Sequence, residues 1–455
     1  IWKRTQTAPT LPKNPDDWTA WEREFPEVKY YTIAPDNLSE ALWSKLSRPI
    51  KGIMYHGWGS LVTLPNGEYG AYFMTNPETA PRLQQLLADV VKPLGPTLLE
   101  VPDIPADIAI LQSFSSQIFA SRGTFGWSGA WEADVHLILQ WAGYQPRIIF
   151  NETIRRDGLD QYQILVLPAC DVLTQSVVDA IKKFQERGGI VIADQNVCPA
   201  ILADIFLPVI KRASNAAEAK AALQAESRRL QRELQGIYAA RASSSDIDVV
   251  TRLRRFGTTD YLFAINDKRD FGDYVGHHRL VMEKGLPNQA TLTIDRSGYV
   301  YDLVQHQAVP SRLVDGVLSF EASFGPGEGR LFLVSQTALD KFRLKLPAKA
   351  SRGQNLPMTV TISDRWGRPA DAAIPIEVRI TDAEGKPGEF SGCYTAKHGK
   401  FDLTLQPAVN DTPVPGSSPL LTSRPDKALA KPAACNDRRP LTPPQPATPS
   451  KGFQT

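Results

Sequence analysis

The sequence predicts a multi-domain protein in which an α/β part precedes all-β modules. Its 455 residues exceed one ordinary domain, and a length prior suggests roughly three. Apolar strands alternate with helical stretches through 76–210, and the hydrophobic period changes to two from residue 246 onward. These observations favour a flavodoxin-like doubly wound domain followed by two antiparallel β-sandwiches.

The N-terminal region predicts a strand–helix–strand unit. VKYYTI at 28–33 and IKGIMY at 50–55 are rich in residues that favour strands. Between them, 37–46 has helical spacing, with Asn37 as the capping residue and Glu40 where a capping-box carboxylate belongs. Because such a connection joins parallel neighbours, we expect the two strands to be parallel.

A doubly wound domain is predicted next. The stretch 76–96 predicts a helix that Pro93 and Gly95 bring to an end. Almost wholly apolar strands then alternate with helices, as in a parallel sheet that is buried on both faces. In chain order these segments are the strand 107–112, the helix 131–143, the strands 146–150 and 162–168, the helix 176–189 and the strand 190–194.

The following part predicts a connecting helix and two β-modules. Leu223, Leu230 and Ile237 recur at seven-residue spacing within 215–242, which is too short a repeat for a coiled coil and favours a helix laid along a neighbouring domain. Runs of period two follow, and the regular turns of the second set are typical of an immunoglobulin-type module. The predicted divisions are 1–75, 76–210, 211–245, 246–341, 342–412 and 413–455.

The end of the chain has two interpretations. Pro, Ser and Ala dominate 413–455, and the β alternation stops after Thr412. A disordered tail is the simple interpretation. A frame shift is the other, because 414–431 can be encoded so that the neighbouring frame gives a turn, a strand and a polar run. Resequencing the DNA around this point would decide between them.

Charge and cysteine usage exclude several classes. The balance of 51 basic and 49 acidic residues gives +2, which argues against nucleic-acid binding and favours a neutral substrate. Cys170, Cys198, Cys393 and Cys435 form no C-x-x-C pair, so we expect buried free thiols, no metal site and no cofactor. No apolar run approaches the ~20 residues of a membrane helix, and no signal peptide is visible.

Several segments together resemble a known arrangement. RPIKGIMYHGWGSL at 48–61 looks like the last barrel strand of a (β/α)8 glycoside hydrolase, and 76–102 resembles the helix by which such enzymes leave the barrel. The region 107–194 looks like the glutamine-amidotransferase-like domain that follows the barrel in beta-galactosidases of glycoside hydrolase family 42. YLFAIND and FGPGEGRLFLV resemble the C-terminal sandwich of such enzymes, and 350–411 is similar to bacterial immunoglobulin-like modules.

The resemblance implies that 1–75 is the incomplete end of a (β/α)8 barrel. It also implies a retaining mechanism with two carboxylates ~5 Å apart, which the family places on the fourth and seventh strands. If 50–55 is the eighth strand, 28–33 is the seventh and the fourth is missing, so the acid/base residue is absent. The matching nucleophile is Asp36, although the family has Glu there. The alternative role of Asp36 is to help cap the helix 37–46.

Aromatic and polar residues follow the predicted eighth strand. The resemblance places Trp58 at its end, where the indole could stack on a pyranose face. The alternative is a Trp packed between the barrel and the next domain. His56 could hydrogen-bond a sugar hydroxyl or serve as a structural histidine. Tyr55 alternates with these two residues and is expected to pack outside the barrel.

The amidotransferase-like region lacks the pattern of an active enzyme. Active members carry a cysteine on a tight strand-to-helix elbow with a distant His–Glu pair. Cys170 follows a strand, but no elbow glycines surround it, and His136 lies inside a predicted helix. The glycines of 123–131 do not match G-x-G-x-x-G, so nucleotide binding is poorly supported. The family uses this domain for subunit contacts, which implies a homo-oligomer.

These inferences favour the non-catalytic C-terminal part of a glycoside hydrolase acting on a neutral glycan. A stand-alone surface carbohydrate-binding protein is the second hypothesis, and an amidotransferase-like enzyme is the third. The β-sandwich modules favour a secreted, periplasmic or cell-surface location without fixing it. Sandwich aromatics could form a carbohydrate platform or belong to the core. They are Tyr261, Tyr274, Tyr299, Tyr301 and Trp366.

Overall fold

The fold is that of a computed structural model. It describes residues 6–7, 14, 16, 30–31, 34–55, 79–119, 131–213, 216–270, 284–347, 351, 353–381 and 385–407. At its beginning, Tyr30–Tyr31 pairs antiparallel with Gln6–Thr7. The parallel partner predicted for the strand 28–33 was the segment 50–55, and this ladder with Gln6–Thr7 was not predicted.

The first helix, Pro35–Leu46, begins two residues earlier than predicted. Ala34 is its N-cap and makes no side-chain capping bond, so Asn37 lies inside the helix rather than at its cap. Pro35 explains the early start, since its fixed φ suits the first helical position and its missing N–H would have no partner there.

The predicted strand 50–55 is wrong: residues 51–55 contain no strand. A lone apolar strand leaves its backbone groups unpaired, and the structure describes no neighbour for this one. Ile50, Ile53 and Tyr55 instead pack, partly buried, against an apolar cluster built mainly by other elements. The prediction of a buried strand is therefore wrong on both counts, since the segment forms no strand and is only partly buried, with Met54 79% exposed.

The long helix, residues 79–100, does not end at Pro93 or Gly95 as predicted. It consists of Thr79–Leu86, a π-helical turn, and Lys92–Glu100. In the π turn the Lys92 N–H donates to the Leu87 carbonyl, five residues back. The inserted residue changes which carbonyl each later residue faces, which relieves the usual clash of a proline ring with the preceding turn.

A parallel-sheet unit follows. When its five strands are numbered along the chain, their spatial order in the sheet is 2-1-3-4-5, as in flavodoxin-like sheets. Helices cover both faces, and Ala216–Glu233, predicted to lie along a neighbouring domain, packs through Leu223 and Leu230 on one of them. The strands are Ile108–Gln112, Arg147–Phe150, Ile164–Leu167, Ile190–Ala193 and Ile205–Phe206, and the other helices are Phe114–Phe119, Trp131–Trp141, Asn151–Asp157 and Gln175–Glu186.

The next unit is a β-sandwich of two antiparallel sheets. In spatial order its five-stranded sheet contains Gln307–Val309, Tyr299–Asp302, Gly329–Ser335, Thr259–Asn266 and Val249–Phe256. The other sheet contains Arg312–Val314, Val317–Phe324, Asn288–Ile294 and Ala242–Ser244. A short ladder joins Arg269–Asp270 to Lys284–Gly285.

A C-terminal β-module follows the sandwich. Its strands are Lys341–Lys345, Leu356–Ser363, Lys400–Leu405, Gly392–Lys397 and Ala373–Val378 in spatial order. A single residue pair, Lys397 with Lys400, joins the last two strands to the first three. The two groups of strands therefore separate beyond that hairpin.

A central apolar cluster connects the units. Every residue of Thr259–Asn266 and of Gly329–Ser335 is buried, so this sheet is covered on both faces. The four-stranded sheet covers one face, while the first helix and the long helix contribute to the cluster on the other. The cluster includes Leu42, Trp43, Leu94, Leu98, Tyr261, Phe263, Leu331, Leu333, Val360, Ile362 and Ile374.

Tyr261 joins the sandwich to the C-terminal β-module. Its ring is fully buried, and its hydroxyl accepts a hydrogen bond from the Ala373 N–H at 2.8 Å and donates one to the Ala373 carbonyl at 2.6 Å. Both backbone groups of Ala373 are thus satisfied by one side chain. Burial raises the pKa of the Tyr261 hydroxyl, so it remains protonated and able to donate.

Arg254 joins the sandwich to both N-terminal helices. Its side chain is buried, and its guanidinium donates to the carbonyls of Leu46 at 3.3 Å, Arg48 at 3.4 Å, Leu98 at 2.6 Å and Val101. These carbonyls lie at the C-terminal ends of the first helix and of the long helix, where the helix dipole favours a cation. One buried charge therefore caps two helices.

Replacing Tyr261 with Phe should destabilise the fold by about 1–3 kcal/mol, because the N–H and carbonyl of Ala373 lose their partner in a buried site. Chemical denaturation measures the change. Tyr299→Phe is the matched control, since that ring lies at the exposed end of a strand. Equal stability of the Tyr261 variant and the wild type would contradict the assigned role of the hydroxyl.

Replacing Arg254 with Met should cost about 3 kcal/mol or more of unfolding free energy, since four helix-end carbonyls would lose a buried donor. Arg254→Lys should rescue little, because an ammonium cannot reach two helix ends with a planar fork. Arg312→Met, on an exposed strand, is the control. Full rescue by Lys would show that charge alone suffices.

Candidate functional site

Asp36, the candidate nucleophile, contacts the sandwich. It lies in the first turn of the first helix, and its Oδ2 accepts a hydrogen bond from the Gly285 N–H at 3.2 Å. A Cβ on Gly327, whose φ is +58°, would come within 2.2 Å of the Asp36 carbonyl oxygen. The close approach explains the glycine at 327, while the hydrogen bond to Gly285 and the favourable helix dipole give the Asp36 carboxylate a structural role. Its catalytic role stays a prediction.

Trp58 and His56, the candidate sugar-contacting residues, lie outside the described residues. The described chain reaches Tyr55 just before them. Burial raises the pKa of the Tyr55 hydroxyl, which is buried without a hydrogen-bond partner in the described part of the chain. The roles predicted for Trp58 and His56 therefore remain predictions.

Polar groups converge at the carboxyl edge of the parallel sheet, where open α/β sheets place their ligands. Asp194 follows the strand Ile190–Ala193 and is buried. Its Oδ2 accepts from Trp131 Nε1 at 2.7 Å and from the Ala169 N–H at 2.8 Å, and its Oδ1 accepts from the Asn196 N–H at 2.8 Å. Three donors thus hold this carboxylate in place and satisfy it.

A strained turn lies beside Asp194. Ala169 has a φ of +49°, which side chains other than glycine rarely adopt, directly after the strand Ile164–Leu167 and Pro168. A nucleophile elbow has such a strained strand-to-helix turn. Ala169 carries no nucleophile, and its N–H donates to Asp194, which offsets part of the strain.

Cys170 is the next residue, and it is not an activated thiol. Burial raises its pKa well above the ordinary value, and the nearby Asp194 charge raises it further. Its sulfur lies 3.4 Å from the Pro168 carbonyl oxygen. A catalytic thiolate needs the opposite surroundings, with positive charge and partial exposure.

His136 has the lowered pKa of a weak base. Burial, together with the charges of the nearby Arg48 and Arg252, lowers its pKa to about 4. Arg252 also donates to Asp103 Oδ2 at 2.6 Å and to the Ser47 carbonyl at 3.2 Å. His136 is therefore half-buried near a cluster of arginines beside the sandwich.

The crevice at the strand-order switch point is closed by its own hydrogen bonds. Ser115 and Ser116 follow the strand Ile108–Gln112 and donate to the Val172 carbonyl at 2.7 and 2.9 Å. Val172 N–H returns a bond to Ser116 Oγ at 2.9 Å. Asn151 Nδ2 donates to Ser115 Oγ at 3.0 Å. These groups largely bind one another, although the buried Asn151 Oδ1 has no hydrogen-bond partner among the described residues.

The sandwich aromatics divide between core and surface. Tyr261 and Tyr301 are buried, as expected for core positions. Tyr299 and Trp366 are 52% and 64% exposed, and Tyr274 lies outside the described residues. The guanidinium carbons of Arg365 and Arg368 lie 4.0 and 4.8 Å from the Trp366 ring centroid. Among the described members of this set, an exposed ring is therefore available at Tyr299 and Trp366.

Sequence reasoning missed Asp194, Arg252 and Arg254. An Asp directly after an apolar strand was a usable signal for the first. The two arginines alternate with apolar residues in VVTRLRRF, which has the same pattern as a solvent-facing strand. In the described part of the chain, no cluster of His, Cys, Asp and Glu could hold a metal ion, and no helix is long and apolar enough to cross a membrane.

No protein-family model matches this chain, and no curated protein matches its sequence. Solved structures match its fold at 10–12% identity. One is alpha-L-fucosidase isoenzyme 2 from Paenibacillus thiaminolyticus, with a TM-score of 0.47 and 12% identity, covering 68% of this chain and 58% of that one. A catalytic mutant of a GH42 beta-galactosidase from G. stearothermophilus has a TM-score of 0.43 and 11% identity, covering 67% and 51%.

A rhamnosidase from Novosphingobium sp. PP1Y has a TM-score of 0.37 and 10% identity, covering 84% of this chain and 38% of that one. The chain thus spans between about a third and three fifths of the length of these three proteins. All three are named as glycoside hydrolases or as mutants of one. At this level the likeness concerns the fold alone: a mixed α/β chain with one parallel sheet and several antiparallel sheets.

Proposed function

We propose that this chain is the non-catalytic C-terminal part of a glycoside hydrolase-like protein that acts on a neutral glycan. It supplies domain assembly, oligomerisation and carbohydrate binding. The finer assignments belong to this proposal: a barrel remnant over 1–75, an amidotransferase-like domain over 76–210 and an immunoglobulin-like module over 342–412. The order of a doubly wound sheet followed by antiparallel β-units supports it.

One observation carries the non-catalytic part of the proposal. Asp36, which the resemblance matches to the nucleophile, accepts a hydrogen bond from the Gly285 amide at a contact between helix and sandwich. A retaining glycosidase needs a second carboxylate ~5 Å away. The buried carboxylate Asp194 lies on a different unit and accepts three hydrogen bonds. The carboxylates of Asp36 and Asp194 thus both have structural hydrogen-bonding roles.

Two alternatives receive unequal support. The buried Cys170 thiol, with its raised pKa, opposes an amidotransferase-like enzyme. Exposed Trp366 supports a stand-alone carbohydrate-binding protein, since an aromatic face can stack on a sugar ring. Glycan binding that Trp366→Ala abolishes would favour this second candidate over the main proposal.

The purified chain should not hydrolyse aryl glycosides above the rate of its Asp36→Asn variant, because the Asp36 carboxylate accepts a hydrogen bond from the Gly285 N–H and so has a structural role. Release of nitrophenol from galactosides, fucosides and rhamnosides measures this. A GH42 beta-galactosidase serves as the positive control. Turnover by the wild type that the Asn variant loses would contradict the non-catalytic assignment and identify Asp36 as the nucleophile.

A homo-oligomer formed through the parallel-sheet unit is also part of the proposal. The edge strand Arg147–Phe150 exposes Ile148 and Phe150, and the short helix Phe114–Phe119 exposes Phe114, Ile118 and Phe119. Exposed apolar side chains on an unpaired sheet edge are typical of a contact surface.

The Ile148→Glu and Phe150→Glu variants should be smaller in solution than the wild type, since a charge on this edge would oppose burial against a second copy. Light scattering coupled to size exclusion measures the mass. Leu202→Glu, at another exposed position of the same unit, is the matched control. A monomeric wild type, or an oligomer that both edge variants retain, would contradict the proposed surface.

A further inference from the structure

We propose that the cleft between the parallel-sheet unit and the sandwich binds a neutral saccharide. The cleft lies where the end of Trp131–Trp141, the exposed side of Ala216–Glu233 and the strand Ala242–Ser244 meet. Its volume is about 340 Å³, within the range of small-molecule sites. Neither Asp36 nor Asp194 lines this cleft.

The sandwich side of the cleft offers hydroxyl and carboxylate groups with capacity to spare. Ser244 Oγ accepts from the Asp246 N–H, and Ser245 Oγ accepts from the Thr291 N–H, so both retain their own O–H as a donor. Asp246 Oδ1 accepts from the Asp248 N–H at 2.8 Å, which leaves Oδ2 as an acceptor. The sandwich side of the cleft thus offers a ligand both hydrogen-bond donors and acceptors.

The helix side adds planar polar groups. Arg228 and Gln231 are both exposed and three residues apart, so they share one side of their helix. Gln231 Nε2 donates to the Ala142 carbonyl at 3.0 Å, which fixes the amide and leaves its oxygen as an acceptor. Arg228 makes no ion pair with the described residues, so its guanidinium is available to vicinal hydroxyls.

An aromatic ring lines the same cleft and is held in place. Trp141 Nε1 donates to Asp267 Oδ2 at 3.3 Å, and the Lys220 ammonium lies 5.9 Å from the ring centroid. Lys220 in turn pairs with Asp248 at 2.8 Å and with Asp267 at 3.1 Å. A fixed indole beside hydroxyl and amide groups matches a ligand with apolar C–H faces and many hydroxyls.

Charge selects the class of ligand. Among the described residues that line the cleft, Arg228 is the one cation and Asp246 the one anion, so their charges cancel. An anionic or cationic ligand would meet no net opposite charge in the cleft, whereas a neutral sugar can hydrogen-bond to both groups. The inference rests on the proposed function, because it supplies the carbohydrate-binding role named there with a site.

Calorimetric titration of the full chain with lactose, cellobiose and xylobiose tests the cleft. At least one should bind with one-to-one stoichiometry, and digalacturonate should not. The double variant Arg228→Ala and Gln231→Ala should bind about tenfold more weakly or worse, since it removes one charged and one neutral hydrogen-bonding group. Ser244→Phe, which fills the cleft, should abolish binding.

Arg232→Ala is the matched control, because that arginine is exposed on the same helix and does not line the cleft. Unchanged thermal unfolding of each variant shows that the fold persists. Absence of binding by all three sugars, equal binding by the double variant, or preference for digalacturonate would each overturn the inference. Aryl-glycoside turnover would overturn the proposed function instead, without altering this titration, so the two failures are distinguishable.

Discussion

Burial of the strand Thr259–Asn266 on both of its faces is the constraint on which the rest of the fold depends. A sandwich strand normally has one face in the core and the other in solvent. Here Tyr261 and Phe263 belong to one apolar cluster, while Leu262 and Ala264 belong to another. Because both faces are apolar, the sandwich alone would leave one of them in water. The first helix, the long helix and the C-terminal β-module are therefore needed to cover it.

Polar groups fix how those units dock on the apolar face. Apolar packing is non-directional and tolerates sliding, whereas a hydrogen bond requires one geometry. Tyr261 fixes the C-terminal β-module through both backbone groups of Ala373, and Arg254 fixes the two helices through their terminal carbonyls. Burial lowers the pKa of Arg254 to about 10, which still leaves it charged at neutral pH. A charge kept in this position can serve both helix dipoles at once.

Sequence patterns predicted the elements whose burial comes from a regular sheet. The runs at 107–112, 162–168 and 190–194 became the strands Ile108–Gln112, Ile164–Leu167 and Ile190–Ala193, because apolar residues in succession can be covered only from both sides of such a sheet. The run at 50–55 is equally apolar and forms no strand. Its Ile50, Ile53 and Tyr55 are partly buried against a cluster that distant segments build, and local pattern carries no information about that partner.

The predicted end of the long helix shows the same limit of local sequence patterns. Pro93 and Gly95 predict an end to the helix that does not occur, because a π turn and the packing of Leu94 and Leu98 carry the helix to Glu100. Tertiary contacts thus outweigh a local propensity of a few kcal/mol. The burial of Arg254 could not be predicted for a related reason. Four carbonyls from two segments remote in sequence offset the desolvation of its guanidinium.

The candidate site lies where polar groups still have unused hydrogen-bonding capacity. At the carboxyl edge of the parallel sheet, Asp194 is satisfied by three donors, and the serines of the switch point bond to Val172. A group whose bonds are complete gains little from a ligand, because binding would exchange one hydrogen bond for another. In the cleft beside the sandwich, Arg228 and Asp246 keep unused bonding capacity around a volume of about 340 Å³. Recognition is therefore expected where two units meet, rather than at the edge that the doubly wound topology alone would select.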